Sequence, residues 1–233
     1  MSWLLADIRK MLLAKNFSGA AGVVAWSIRE RVLDRRFGIN TRKIITPQEL
    51  GTDTSTSENY EPTSYRVLQL AMSHVAPRSS AKNSVLLDVG SGMGRSSLVA
   101  ATYPFSAIIG IEYSADLVKT ARDNLRKALP RLKCKDVGFV AVDAGRYDIP
   151  DTVTTIFMSN PFRGVTLDRF MTKVRETMER KPREIDIAFI GFRTLDGVRY
   201  PWVKTYAEYD CKEPAFILKI FLSRVVLSEA AVR

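Results

Sequence analysis

The sequence is poor in the side chains that most often carry catalysis. Its 233 residues include one histidine, His74, and two cysteines, Cys134 and Cys211. That inventory excludes most zinc sites, which draw on several Cys and His ligands, and argues against Ser-His-Asp and Cys-His triads. Two distant cysteines cannot staple a domain of this size and suit a reducing compartment. Long apolar runs are also missing, and none approaches the ~20 residues needed to span a bilayer. The longest weakly charged stretch, 17–28, is too short and contains Gly19 and Gly22. Lys15 interrupts the apolar residues that end at Leu13, which speaks against a secretory leader. A cytoplasmic protein is expected, whose chemistry runs on carboxylates, amides, hydroxyls, backbone groups or a borrowed cofactor.

What is present is an ordinary globular composition, 46% hydrophobic and 26% charged, at a length suited to one sizeable domain with a small appendage. The net charge of +10 raises the question of nucleic acid. The excess is spread, however: four positive charges over residues 1–80, three over 81–150 and three over 151–233. A dedicated nucleic-acid surface concentrates its charge, so nucleic acid is disfavoured as a partner.

The chain falls into two regions. Residues 1–40 read as helical, with Leu4, Ile8, Met11 and Leu12 at helical spacing and a second helix over 20–36 carrying Val24, Ile28 and Val32 at steps of four. These 40 residues hold seven basic and three acidic side chains. Two readings stand side by side: a helical cap whose apolar stripe packs on the core, and a basic amphipathic segment resting peripherally on an anionic membrane. Residues 52–57 are polar and turn-rich, as in a linker or lid. A helical extension with its linker is therefore assigned to residues 1–59 and the main domain to 60–233.

Within the main domain, a helix over 65–75 precedes alternating strands and helices. Strands are expected over 85–89, 107–111, 137–142, 154–159 and 185–192, and helices over 95–102, 114–130 and 167–180. Such alternation implies a parallel sheet with right-handed crossovers. The last strand-like segments, 204–209 and 216–222, are joined by a loop too short for a crossover and must form an antiparallel hairpin. The fold class is α/β: a mostly parallel sheet with helices on both faces, closed by a C-terminal antiparallel hairpin.

Where the first strand gives way to a helix stands Asp88-Val89-Gly90-Ser91-Gly92-Met93-Gly94-Arg95. Glycines there permit a sharp bend and close approach of a ligand to the main chain, and the helix that follows presents unpaired N–H groups. The spacing is G-x-G-x-G, with Arg95 where a dinucleotide turn carries its third glycine. Asp88, Glu112 and Asp143 fall at the carboxyl ends of three successive strands, where ligands bind in parallel sheets. A carboxylate at the end of the second strand can accept two hydrogen bonds from a ribose diol.

These residues resemble the class I S-adenosylmethionine-dependent methyltransferases over roughly residues 60–223. The resemblance implies a seven-stranded sheet, S-adenosylmethionine as methyl donor, Glu112 as the ribose-binding acid, and Asp143 and Ala144 against the adenine. It places the donor against Tyr60, Asp88, Gly90, Ser91, Gly92, Gly94, Glu112, Tyr113, Asp143, Ala144 and Asn160. Tyr60-Glu61-Pro62 and the turn are similar to a bacterial group with a Gly-Ser-Gly-x-Gly-Arg turn and an Asn-Pro-Phe after the fourth strand. A more distant similarity runs to protein-lysine methyltransferases whose tyrosine–proline element closes over the donor, with Tyr60 and Tyr65 as candidates here.

On the acceptor side, Ser159-Asn160-Pro161-Phe162 ends the fourth strand. Related amino-methylating enzymes use Asp/Asn-Pro-Pro-Tyr/Phe there; this chain has one proline. Asn160 is expected to accept from the attacking group and Phe162 to line the acceptor or offer its face to the sulfonium, although Pro161 also suits a simple strand exit. Tyr147, Asp148 and Asp196 are candidate bases, and His74 is assigned a structural part. Displacement at a sulfonium methyl asks the protein mainly to position the nucleophile and remove its proton, so neither histidine nor metal is required. A protein side-chain amine or a small metabolite, such as a glycan precursor, ranks above nucleic acid as acceptor. The alternative class is a binding or scaffold protein that keeps the pocket without turnover. A nicotinamide oxidoreductase is disfavoured by the glycine spacing and by the 73 residues left after Asn160.

Overall fold

The computed structural model describes residues 17–51, 59–77, 83–191, 199–213 and 217–226, with residues 9, 11, 13 and 195 singly. The expectations at Leu4, Ile8 and Leu12, for the 52–57 linker, at Phe192 and at Asp196 lie outside the described residues. Five helices and seven strands organise the rest: α1 Phe17–Phe37, α2 Tyr65–Val75, β1 Val85–Val89, α3 Arg95–Ala100, β2 Ala107–Glu112, α4 Ala115–Ala128, β3 Val137–Ala141, β4 Val153–Ser159, α5 Gly164–Arg180, β5 Asp186–Gly191, β6 Val203–Lys212 and β7 Ile217–Val225.

The strands form one sheet in the order β3-β2-β1-β4-β5-β7-β6. β3, β2, β1, β4 and β5 run parallel. β7 pairs antiparallel with both β5 and β6, so the C-terminal hairpin inserts its second strand next to the parallel core. Strand order reverses between β1 and β4, the switch point beside which α/β sheets open a crevice at their carboxyl edge. All five residues of β1 are buried. Alternation sends Leu86 into the core beneath α2 and α3, and Val85, Leu87 and Val89 into the core beneath α5, as a centrally placed strand requires. α4 covers Phe139 of β3 through Val118 and Ala121. Local signals start the helices: the Ser64 and Ser114 hydroxyls accept from the amides of Val67 and Leu117 at the first turns of α2 and α4.

The N-terminal helix corrects the expectation of a cap packed through its apolar stripe. Val24, Ile28 and Val32 are exposed, whereas Ala20, Val23, Glu30 and Asp34 are buried. The reason is Arg95. This arginine is 3% exposed, and its guanidinium reaches Glu30 Oε2 at 2.5 Å, Asp34 Oδ1 at 3.2 Å and Thr41 Oγ1 at 2.6 Å. A buried guanidinium without carboxylates is costly, so α1 turns its two acids inward and leaves Val24, Ile28 and Val32 outside. Leu33 and Phe37 contribute apolar contact on the inner side.

Candidate active site

A cavity of about 310 Å³ opens at the carboxyl edge of β1, β2 and β4. Tyr60, Gly90, Ser91, Glu112, Tyr113, Asp143, Ala144, Asn160 and Phe162 all line it. Asp88, Gly92 and Gly94, which the sequence also nominated, stand behind the wall and shape it from there.

Glu112 ends β2 with both carboxylate oxygens engaged: Oε2 accepts from the Gly92 amide at 3.0 Å and Oε1 from the Ser114 amide at 3.0 Å. The Tyr113 amide also acts on this carboxylate, and of its roughly four acceptor sites at least one stays open to a ligand hydroxyl. Burial pushes this carboxyl above the ordinary range, opposed by those amides. Asp143 accepts from the Gly145 amide at 2.8 Å through Oδ1, which fixes its orientation beside Ala144. Tyr113 is 61% exposed, at the rim.

The glycine turn departs from the expectation that its amides await a ligand. Gly90 and Ser91 donate to the Ile111 carbonyl at 2.9 and 3.0 Å, and Gly92 donates to Glu112. What the turn offers is the Ser91 hydroxyl, buried on the cavity wall with no hydrogen-bond partner among the described residues. The glycines make room for protein side chains. At Gly90, φ +74°, an added Cβ would meet Pro161 Cβ at 2.5 Å; at Gly92, φ +52°, it would meet Tyr60 Cε2 at 2.2 Å. No L side chain fits there without displacing its neighbour.

Asp88 is turned away from the cavity. Strand alternation sets it on the same face as Leu86, beneath α3, where it accepts from Ser97 Oγ at 2.5 Å. Burial raises its pKa to about 7, against the opposing Ser97 hydrogen bond. Tyr65 is likewise corrected as a candidate for closing over the donor. It is fully buried, donates to Asp34 Oδ1 at 2.7 Å and carries Arg95 over its ring. Tyr60 does line the cavity. Its ring covers Gly92, its hydroxyl donates to the Thr41 carbonyl at 2.9 Å, and its backbone forms a bridge with Ile45.

On the far wall, β4 delivers Ser159 and then Asn160, the one non-glycine with positive φ among the described residues, at 42°. A left-handed residue immediately before proline is a strained turn. Phe162 packs edge-on against Phe170 at 6.1 Å. Three residues that sequence reasoning did not nominate join this wall: Thr63 and Ser159, whose hydroxyls lie 2.6 Å apart, and Glu61. Glu61 has no hydrogen-bond or ion-pair partner among the described residues, and partial desolvation pushes its carboxyl up. The only sequence signal for these three was their adjacency to Tyr60 and Asn160. Of the candidate bases, Asp148 pairs with Lys173 at 3.1 Å, and neither it nor Tyr147 lines the cavity. His74 stacks on Tyr209 at 4.1 Å, consistent with a structural part.

The family model described as a methyltransferase domain matches residues 86–181. No sequence relative matches among curated proteins. Among solved structures, the chain is similar to an RNA methyltransferase from Salinibacter ruber in complex with S-adenosyl-L-homocysteine, with a TM-score of 0.52 at 22% identity, over 72% of this chain and 97% of that one. It is also similar to TrmN from Thermus thermophilus, with a TM-score of 0.51 at 18% identity, over 69% of this chain and 48% of that one. At these identities the likeness is one of fold.

Proposed function

We propose that this chain, whose residues 86–181 match the methyltransferase-domain model, is a class I S-adenosylmethionine-dependent methyltransferase that methylates an amine carried by a protein side chain or a small metabolite. The wall fits the donor: a carboxylate with an acceptor site to spare at Glu112, a buried hydroxyl in need of a partner at Ser91, and bare backbone at Gly90. In this reading Glu112 holds the ribose, Asp143 and Ala144 hold the adenine, and Tyr60 and Tyr113 close the sides. Asp88, Gly92 and Gly94 set the turn. When bound, S-adenosylmethionine supplies a methyl group activated by a sulfonium. Residues 1–59 act as a helical extension to the domain of 60–233. The two cysteines, free and buried, suit the cytoplasm.

The observation that carries the acceptor assignment is the unpaired Glu61 carboxylate on the same cavity as Asn160. Asn160 is placed to accept an N–H from the incoming amine and so orient its lone pair. Glu61 is exposed at the cavity mouth, with its carboxyl pushed up by partial desolvation, and is suited to attract a protonated amine and take its proton. Phe162 supplies an apolar wall. A carboxylate at this mouth repels a phosphate backbone, which favours such amines over nucleic acid. The RNA activity named for the Salinibacter ruber protein is therefore not carried over.

The test combines calorimetric binding of S-adenosylhomocysteine with transfer of tritiated methyl groups to fractionated lysate. Label in protein or in small amines supports the reading, and label in nucleic acid overturns the acceptor class. Tight product binding with no transfer to any fraction assigns the chain to the non-catalytic scaffold class. E61Q should lower kcat by at least about tenfold while product affinity stays within about twofold.

A further inference from the structure

α1 is apolar on two sides, and the domain covers only one of them. Its inner side holds Ala20, Val23, Leu33 and Phe37 against the rest of the chain. Its outer side presents Phe17, Val24, Ile28 and Val32, exposed by 66, 43, 55 and 54%. At ~1.5 Å per residue this stripe runs about 22 Å along the helix. A contiguous apolar stripe left on the surface marks an interaction site, so the outer stripe calls for a cover. The charges say what kind. Glu30 and Asp34, the acids of α1, are buried against Arg95, whereas Arg29, Arg31, Arg35 and Arg36 are all exposed. The solvent side of the helix is therefore apolar and cationic, with no acid on it. A second copy pairing through this face would bring two sets of arginines together, and like charges oppose that contact. An anionic surface with an apolar layer beneath it satisfies both features.

We propose that α1 is a peripheral docking helix that lies on an anionic lipid bilayer, its apolar stripe in the headgroup–acyl boundary and its arginines among the lipid charges. The inward salt bridges keep that face outward: Arg95 follows the glycine turn directly and fixes the rotation of α1 about its own axis through Glu30 and Asp34. The catalytic domain would then sit at the membrane in one orientation.

The test is sedimentation of the full chain with unilamellar vesicles of phosphatidylcholine, with and without about one-third phosphatidylglycerol. The chain should bind the anionic vesicles and not the neutral ones. V24S/I28S and R35Q/R36Q should each reduce the bound partition coefficient at least about tenfold. Melting temperature and S-adenosylhomocysteine affinity should be unchanged, because these four side chains stand outside the Arg95 network. Absence of binding to the anionic vesicles, or equal binding by both variants, overturns the proposal. So does a concentration-dependent dimer that V24S/I28S dissolves, which would assign the stripe to a second copy. None of these readouts depends on the identity of the methyl acceptor.

Discussion

Replacing Arg95 by methionine tests the ionic lock that orients α1. The methionine keeps much of the volume and removes the charge, leaving Glu30 and Asp34 in place. Asp34 would retain the Tyr65 hydroxyl at 2.7 Å, the Thr41 hydroxyl at 3.0 Å, the Thr41 amide at 3.1 Å and the half-exposed Arg42 guanidinium at 3.5 Å. Glu30 would retain only the Tyr65 amide at 3.1 Å. Two carboxylates would then share a site that is 2–3% exposed without the buried cation, and breaking a buried pair from one side costs about 3–5 kcal/mol. Urea unfolding followed by circular dichroism at pH 7 should show that loss. E30Q/D34N/R95M, which removes all three charges, should recover most of it, because hydrogen bonds to neutral amides replace the stranded charges. R95M should also gain stability on acidification. Burial already raises the Glu30 carboxyl, and losing the guanidinium that opposes this would raise it further, so protons taken up as pH falls favour the folded chain. An R95M variant within about 1 kcal/mol of the parent, or a triple variant no better than R95M, would refute the account of α1 given above.

Other perturbations test the cavity wall. E112Q replaces an acceptor oxygen by an N–H₂ that must face the Gly92 or Ser114 amide, and should weaken S-adenosylhomocysteine binding about 10- to 100-fold by calorimetry. Asp88, with a folded pKa of about 7 against 3.8 for the free side chain, holds its proton in the folded state through a window where the unfolded chain has lost it. Stability should therefore fall as pH rises from about 4 to 7, by ~4 kcal/mol at 1.36 kcal/mol per unit, and flatten above 7; D88N should remove most of that slope in urea titrations at several pH values. G92A should destabilise by about 2 kcal/mol or more, since its Cβ would sit 2.2 Å from the Tyr60 ring at a positive φ. In a double-mutant cycle Y60A should absorb at least about 1 kcal/mol of that penalty, and additive effects would contradict the contact.

The sheet was legible because its signals are local and repeated. β1 reads as a buried strand from five residues, the G-x-G-x-G turn marks its exit, and the short loop before β7 forces an antiparallel hairpin. Boundaries slipped where tertiary pairing lengthens an element: β6 and β7 run to Val203–Lys212 and Ile217–Val225, beyond their most apolar segments. The cavity residues were legible in part. Glu112, Asp143 and Asn160 are strand-end residues and could be placed by counting. Asp88 could not, because one step of alternation decides whether it faces the ligand or α3. Which side of α1 faces the core was left open by periodicity, because it is decided by the demand of a guanidinium 61 residues away in sequence from Asp34. Glu61 was quoted only as part of the Tyr60-Glu61-Pro62 element, and its significance lies in lacking a partner in space among the described residues.

The glycine turn ties these parts together. In a dinucleotide turn the third glycine lets the helix approach the sheet. Here Gly94, with φ +87°, leaves room for Phe139 of β3, with which an added Cβ would clash at 2.9 Å, and the next residue is the long cation that secures α1. Gly90 yields to Pro161 of the acceptor wall and Gly92 to Tyr60, while the Gly92 amide holds Glu112. One bend of five residues is thus in contact with the proposed ribose acid, the acceptor segment and the segment before the core, and adjoins the anchor of the N-terminal helix. A ligand that pulls on Glu112 or Ser91 loads contacts leading both to Asn160 and to α1. Packed interiors transmit such displacements because they have little free volume to absorb them. A substitution at Gly90 or Gly92 should therefore disturb Pro161 or Tyr60 together with the backbone that holds Glu112.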